Sequence, residues 1–383
     1  MAPIKVGLMG YGSSTKYFHL PFILPNPDLD VVAFLQRAEA PEDKSNVEPG
    51  KHCTVDHPKA KHYRTAEDFF ADDEIELVIV CTSSAMHFEF GKQALLAGKH
   101  VVIEKPFTVT TAEADKLIAL SKEKNKTLTV YQNRRYDSDF RTLQHLMSLN
   151  PNPFGTITEF ENHYDLDNPP WIAKWGAQTP EEAPGEGMLY GLGTHSIDQT
   201  LLLFGLPKSV TAFLRYLRPD GGEGAVDDSF TIVLQYEGNL IATVKTTIVS
   251  PGPRQMKFWV RGTHGSFTKD GEDVQMEHIF ENNMKADDTG FGIEPARYHG
   301  TLYTRKELET RFQKDGETGV VFSGKIPSKP GSYMDYYRDL VATIRGEKEL
   351  VVKPEESRNG IRIIELARES AEKGVTVPWS EGP

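Results

Sequence analysis

The chain has 383 residues, of which 38% are hydrophobic and 26% charged, enough to build two domains with cores of their own. Its 43 Lys and Arg against 55 Asp and Glu leave a net charge of −12, which argues against a nucleic-acid partner held by phosphate neutralisation. No apolar run approaches the ~18 residues needed to span a bilayer. The opening MAPIKVGLMGYG lacks a basic segment followed by a long apolar stretch, so no signal peptide, no membrane contact and a cytoplasmic location are expected.

The first ~130 residues alternate short apolar runs with amphipathic stretches, the rhythm of a parallel sheet with crossover helices. Ile4–Met9 and Val31–Leu35 read as strands. Residues 37–64 are polar and proline-bearing and read as a loop with one short helix. Leu77–Cys81 is continuously apolar, as in a strand covered on both faces, and Cys81 closes it as a buried thiol. His87–Ala97 reads as a helix, Val101–Ile103 as a strand, Ala112–Lys124 as a second helix and Leu128–Tyr131 as a last strand. Thr110 or Thr111 can cap the second helix, with Glu113 and Asp115 in its first turn.

The rhythm changes after Gln132. Thr156–Asp165 alternates, and Met188–Phe204 is strongly helical. Ser209–Leu217, Ser229–Tyr236, Leu240–Ile248 and Met256–Val260 are strand-like, the middle two joined by the turn Glu237-Gly238-Asn239. Residues 272–330 are charged, weakly periodic and read as irregular. Met334–Ile344 and Arg358–Glu372 are amphipathic helices. The expected fold is an α/β Rossmann-type domain over residues 1–132, followed by an α+β domain over 133–383 with a large, mostly antiparallel open sheet. An apolar exposed face of that sheet suits a homodimer.

Gly10-Tyr11-Gly12 closes the first strand. Gly10 would make the tight turn, and Gly12 would let backbone N–H groups approach a pyrophosphate, with Ser13 and Ser14 adding hydroxyls. The third position of G-x-G-x-x-G is Thr15. The second strand ends in Gln36-Arg37, without the acid that usually binds the ribose 2′-OH of NAD(H). Arg37 can take a 2′-phosphate, which points to NADP(H) over NAD(H); otherwise it covers the adenine or faces solvent. The two cysteines, Cys53 and Cys81, form no disulfide framework, the histidines show no metal-ligand spacing, and no metal is expected.

Cys81-Thr82-Ser83-Ser84-Ala85-Met86-His87, the run Gly98-Lys99-His100-Val101-Val102-Ile103-Glu104-Lys105-Pro106 and the segment Gln132-Asn133-Arg134-Arg135 together resemble the glucose–fructose oxidoreductase / inositol dehydrogenase (Gfo/Idh/MocA) family. The resemblance implies a two-domain nicotinamide-dependent oxidoreductase acting on sugars, polyols or related cyclic alcohols. It also implies a Lys105–Pro106 bond that is commonly cis. Thr82, Ser83, Pro106 and Asn133 would lie on the cofactor, and His87 would cover the nicotinamide ribose or face solvent. Lys105, just past a strand end, is the first candidate for the proton transfer that accompanies hydride transfer. Glu104 would orient it or contact the ribose.

His195 is the second candidate. The family places a catalytic Asp four residues earlier, where this chain has Gly191. Substrate contacts are expected from Tyr131, Arg134, Tyr164, Asp165, Trp171, Tyr190 and Asp198, with Trp175 nearby and one of Arg134 and Arg135 in an interdomain salt bridge. Two alternatives stay open: a regulator that keeps the cofactor site without chemistry, and a reductase of imines or enones.

Overall fold

Short apolar segments, each followed by a helix or turn, form the first sheet together with one short polar edge strand. Its strands are β1 (Ile4–Met9), β2 (Leu29–Leu35), β3 (Lys61–Tyr63), β4 (Leu77–Val80), β5 (His100–Ile103) and β6 (Leu128–Val130). They run parallel in the order β3-β2-β1-β4-β5-β6. The order reverses between β1 and β4, the switch point at which doubly wound sheets bind their ligands. β4 is buried along its whole length, as the unbroken apolar run requires. This computed structural model describes residues 1–175, 178–219, 225–252, 254–305, 313–315 and 321–382.

Thr110, rather than Thr111, caps the helix Thr111–Lys124. Its hydroxyl accepts from Glu113 N, and the Glu113 carboxylate accepts from Thr110 N, a reciprocal box that satisfies two terminal donors. Thr110→Ala is expected to cost about 1 kcal/mol. A urea denaturation midpoint that does not move would remove the cap from the account.

The second sheet is built from β7 (Ile157–His163), β8 (Ser209–Arg215), β9 (Ser229–Gln235), β10 (Ile241–Thr246), β11 (Met256–Gly262), β12 (Gly265–Asp270), β13 (Gly300–Thr304), β14 (Gln313–Asp315), β15 (Val321–Ile326) and β16 (Val377–Pro378). Among the described residues its order is β14-β15-β13-β12-β11-β7-β10-β9-β8-β16. Its pairings are antiparallel except β7 with β10. β9 and β10 form the expected hairpin, Gln235 opposite Ile241, with Gly238 at φ 69° in the turn. One face packs Phe160, Phe258, Ile232 and Val244 inside. The other carries Thr211, Val233, Thr243, Glu161 and Trp259 side by side across five strands.

Two stretches that read as irregular contain strands. β3 is three residues long and lies at a sheet edge, too short for any period to register. β13, β14 and β15 fall within 272–330, at the end of the sheet where β14 is the edge, and Thr, Ser, Gly and Lys dilute their apolar alternation.

By contact density the chain falls into two units. One comprises Met1–Asn133, Lys285–Asp287 and Tyr333–Arg358; the other comprises Arg134–Met284, Asp288–Ser332 and Asn359–Pro383. A cut after residue 132 would assign Tyr333–Arg358 to the second domain, yet this segment packs in the first unit. Tyr333, Tyr336 and Tyr337 are buried on one side of the helix Tyr333–Ile344. Tyr333 meets the Phe22 ring at 5.3 Å, and Thr129 donates to the Val352 carbonyl at 2.8 Å. Among the described residues no helix is long and apolar enough to cross a membrane.

Candidate active site

Because the strands of the first sheet are parallel, their carboxyl ends share one edge. Gly10, Arg37, Thr82 and Lys105 follow β1, β2, β4 and β5 along it. Gly10 sits at φ +100°, and a Cβ there would lie 2.5 Å from the Cys81 carbonyl oxygen, so only glycine turns here. A Cβ on Gly12 would meet nothing within 4 Å, which leaves backbone N–H groups accessible beside it. Ser13 is exposed at the same place. Thr15, in the third glycine position, is fully buried and donates its hydroxyl to the Gly10 carbonyl at 2.9 Å. The departure from the glycine pattern therefore closes the turn by a side-chain bond. An exposed turn at the head of a helical segment, with open space at Gly12, fits a dinucleotide pyrophosphate.

Ser14 turns inward instead of joining Ser13. Its hydroxyl donates to Glu104 Oε1, the oxygen that also accepts from His19 Nε2 at 2.9 Å. Glu104 Oε2 accepts from Lys105 N at 2.9 Å. His19 Nδ1 pairs with the Tyr337 hydroxyl. Burial opposes ionisation of Glu104, but the His19 bond and charge, then Lys105 and Ser14, outweigh it and hold its pKa at about 2. Burial likewise opposes a charged His19, yet the Cys81 sulfur and the Glu104 carboxylate raise its pKa to about 10. The pair is a buried ion pair that ties the glycine turn to the backbone of Lys105. His19 was not singled out from the sequence. It lies in a π-helical turn, Thr15–His19, a distortion that often marks functional sites.

His87 is buried, so its solvent-facing alternative falls away. Its Nδ1–H donates to the Pro106 carbonyl at 2.7 Å, and Nε2 lies 3.2 Å from the Thr82 carbonyl. The ring joins the turns after β4 and β5, and burial lowers its pKa. The Lys105–Pro106 bond is cis. Lys105 is half-buried, Thr82 half-buried and Ser83 exposed. Asn133 is buried at the last residue of the first stretch of this unit. Arg37 is exposed, and its carbonyl accepts from Arg64 Nε at 3.2 Å, which brings a second guanidinium to the end of β2. Arg64 follows β3, so missing that strand hid it.

Tyr131 requires a correction. It was expected on the substrate, but it is 1% exposed, packs 4.2 Å from the His19 ring and donates its hydroxyl to the Phe18 carbonyl. Burial raises its pKa well above the ordinary phenol value, so it belongs to the core.

In the second unit the helix Thr194–Phe204 buries His195, Asp198 and Gln199. Asp198, also expected on the substrate, has both carboxylate oxygens on the Arg135 guanidinium at 2.6 and 2.7 Å. This buried bidentate pair is a salt bridge of the Arg134-Arg135 segment, but it lies within one unit and not between domains as expected. Gln199 adds a bond to the Arg134 carbonyl at 2.9 Å. The helix that carries His195 is thus locked to the Arg134-Arg135 turn by two neighbouring residues.

Arg134 donates to Asp137 at 3.2 Å and to the Tyr164 hydroxyl, and Tyr164 donates to Glu272 at 2.9 Å. Asp165 accepts from Thr247 N at 3.0 Å and lies 3.2 Å from His163 Nδ1, so its carboxylate braces strand ends. Tyr190 is buried beneath the Arg368 guanidinium at 5.1 Å, and Trp171 is exposed. The side chain of Trp175 lies outside the described residues. A Cβ on Gly191 would meet nothing within 4 Å.

The parallel sheet with a glycine turn at its switch point defines a dinucleotide-binding architecture, followed in the chain by a mostly antiparallel α+β unit. Residues 4–132 match the oxidoreductase family with an NAD-binding Rossmann fold, and residues 141–268 match the GFO/IDH/MocA C-terminal domain. The scyllo-inositol 2-dehydrogenase (NADP(+)) IolW of Bacillus subtilis is 37% identical over 98% of this chain and 95% of its own. An uncharacterised oxidoreductase of Schizosaccharomyces pombe is 35% identical over the whole of both chains. The crystal structure of an oxidoreductase from Bacillus cereus superposes with a TM-score of 0.82 at 29% identity, covering 98% of this chain and 99% of that one. The chain belongs to the Gfo/Idh/MocA family and is an NAD(P)-dependent oxidoreductase.

Proposed function

We propose that the chain transfers hydride between a nicotinamide cofactor and a CH–OH or C=O carbon of a sugar, polyol or related cyclic substrate, with NADP(H) preferred over NAD(H). The observation that carries the reading is Lys105, held at the carboxyl edge of the Rossmann sheet with its backbone N–H fixed on Glu104. The nicotinamide cofactor supplies the hydride acceptor or donor. Lys105 takes the hydroxyl proton when an alcohol is oxidised and returns it in the reverse direction. His195 is the second proton carrier, steadied by the Asp198–Arg135 pair one helical turn on. The sugar or polyol class follows IolW, a scyllo-inositol 2-dehydrogenase, and suits the aromatic and polar residues Tyr164, Tyr190 and Trp171.

The cofactor preference rests on an exposed Arg37 where an acid would otherwise stand, with Arg64 beside it. Side-by-side fluorescence titrations with NADPH and NADH test it. Arg37→Ala is expected to weaken NADPH about tenfold or more, the value of a charge-assisted phosphate contact, and to leave NADH unchanged. Equal affinity of the native chain for both would remove the preference. Hydride transfer in a polyol screen tests the activity. Gly191 in place of the acid favours a second reading, a cofactor-binding regulator, and absence of turnover with every member of the screen would select it. The sheet face bearing Thr211, Val233, Thr243 and Trp259 is proposed to pair two chains in a homodimer.

A further inference from the structure

His52 and Cys53 open a short helix, Cys53–Asp56, and His62 lies on β3. Nothing in their spacing marks them as ligands, because the fold alone brings them together. One imidazole nitrogen of each histidine and the Cys53 sulfur lie within 4.8 Å of one another. His52 and Cys53 are buried, and the two imidazole rings meet edge to face at 4.8 Å.

We propose that His52, Cys53 and His62 form a binding site for a single borderline-soft divalent cation of the zinc class, placed at the carboxyl end of β2. The donor set is the argument for the class: two imidazoles and a thiolate suit zinc, whereas magnesium and calcium want oxygen. Three protein donors leave a fourth position for water. Donor atoms around a tetrahedral zinc stand about 3.3–3.8 Å apart, given bond lengths near 2.0 Å to nitrogen and 2.3 Å to sulfur. Closing from 4.8 Å therefore takes a shift of about 1 Å in the donor–donor separations.

Hydrogen bonds from the neighbouring backbone and from Gln36 hold the three residues in place. His62 donates Nε2–H to the Gln36 carbonyl at 2.8 Å, which fixes the tautomer and leaves Nδ1 as the lone-pair nitrogen. The Gln36 side-chain oxygen accepts from Cys53 N at 2.9 Å, so one residue braces two of the donors. His52 Nδ1 accepts from Thr54 N at 3.2 Å and lies 3.0 Å from the Thr54 hydroxyl, so it is the lone-pair nitrogen of that ring. As the metal–sulfur bond forms, the Cys53 thiol gives its proton to solvent, and the thiolate charge offsets part of the cation's. The ion would pin residues 36–62, and so the strand end that carries Arg37, independently of how the cofactor reading fares.

The test uses the full chain without an affinity tag. After dialysis against Zn²⁺ and then metal-free buffer, elemental analysis is expected to find one equivalent. Co²⁺ in its place is expected to give a thiolate-to-cobalt charge-transfer band in the near ultraviolet. C53S should lose the band, and both C53S and H62Q should weaken Zn²⁺ binding at least tenfold in competition with a chromogenic chelator. If C53S does not fold, H62Q and protection of the native Cys53 thiol from alkylation by Zn²⁺ carry the same test. Substoichiometric zinc, a cobalt spectrum without the thiolate band, or affinity unchanged in the foldable variants would each overturn the site and identify the trio as packing alone. None of these readouts depends on turnover or nucleotide affinity.

Discussion

Lys105→Met is expected to lower kcat/KM by about 10²–10⁴, the usual contribution of a positioned proton carrier, with cofactor affinity held within a few-fold. The two readouts separate because the substitution deletes only the ammonium. The bond from Lys105 N to Glu104 Oε2 is made by backbone and survives, as does the His87 bond to the Pro106 carbonyl. Lys105→Arg is the informative control. Arginine keeps the positive charge but does not surrender a proton near neutral pH. Failure of both variants assigns Lys105 to proton transfer. Full turnover in Lys105→Met would sink the assignment, and recovery in Lys105→Arg would reduce the residue to a charge that orients substrate.

The glycine turn and the strand-end run of the candidate cofactor site were largely legible in the sequence because the residues of each are contiguous. The turn Gly10-Tyr11-Gly12 and the run ending Glu104-Lys105-Pro106 each carry a local signal, and each follows an apolar strand. What connects them was not legible. His19 reaches Glu104 across 85 residues of chain, and neither residue has a periodic or capping signature for the other. Tyr131 and Asp198 failed for the same reason in the opposite direction. A tyrosine beside a polar segment reads as a hydroxyl donor, but the ring packs between His19 and Tyr336, 4.9 Å from the latter. Asp198 reads as a free carboxylate until Arg135, 63 residues earlier, occupies it. Residue type and strand-end position can be read from the chain; which polar groups have already spent their hydrogen bonds on one another is fixed only by tertiary packing.

Glu104→Gln is expected to destabilise the chain by about 3–5 kcal/mol, the cost of removing one partner from a buried ion pair. Geometry makes the amide a poor replacement in either orientation. Oε1 accepts from Ser14 and His19, and Oε2 accepts from Lys105 N, so an NH2 group at either position would face a donor. The pH dependence gives a second reading of the same pair. Glu104 has its pKa lowered from 4.5 to about 2, so its contribution is present above about pH 4.5 and is lost as pH falls toward 2. His19 has its pKa raised from 6.5 to about 10, so its contribution is present below about pH 6.5 and is lost as pH rises toward 10. The pair therefore stabilises most between those limits and weakens on both sides. In Glu104→Gln the acid loss should vanish and the alkaline loss should shrink to what the Cys81 sulfur sustains. Denaturant titrations from about pH 2 to about pH 10 measure both limbs. Because Ser14 belongs to the glycine turn, KM for the cofactor should rise alongside the loss of stability. A variant as stable as the native chain, with the same pH profile, would mean that the carboxylate is protonated in the fold and that the buried ion pair does not exist.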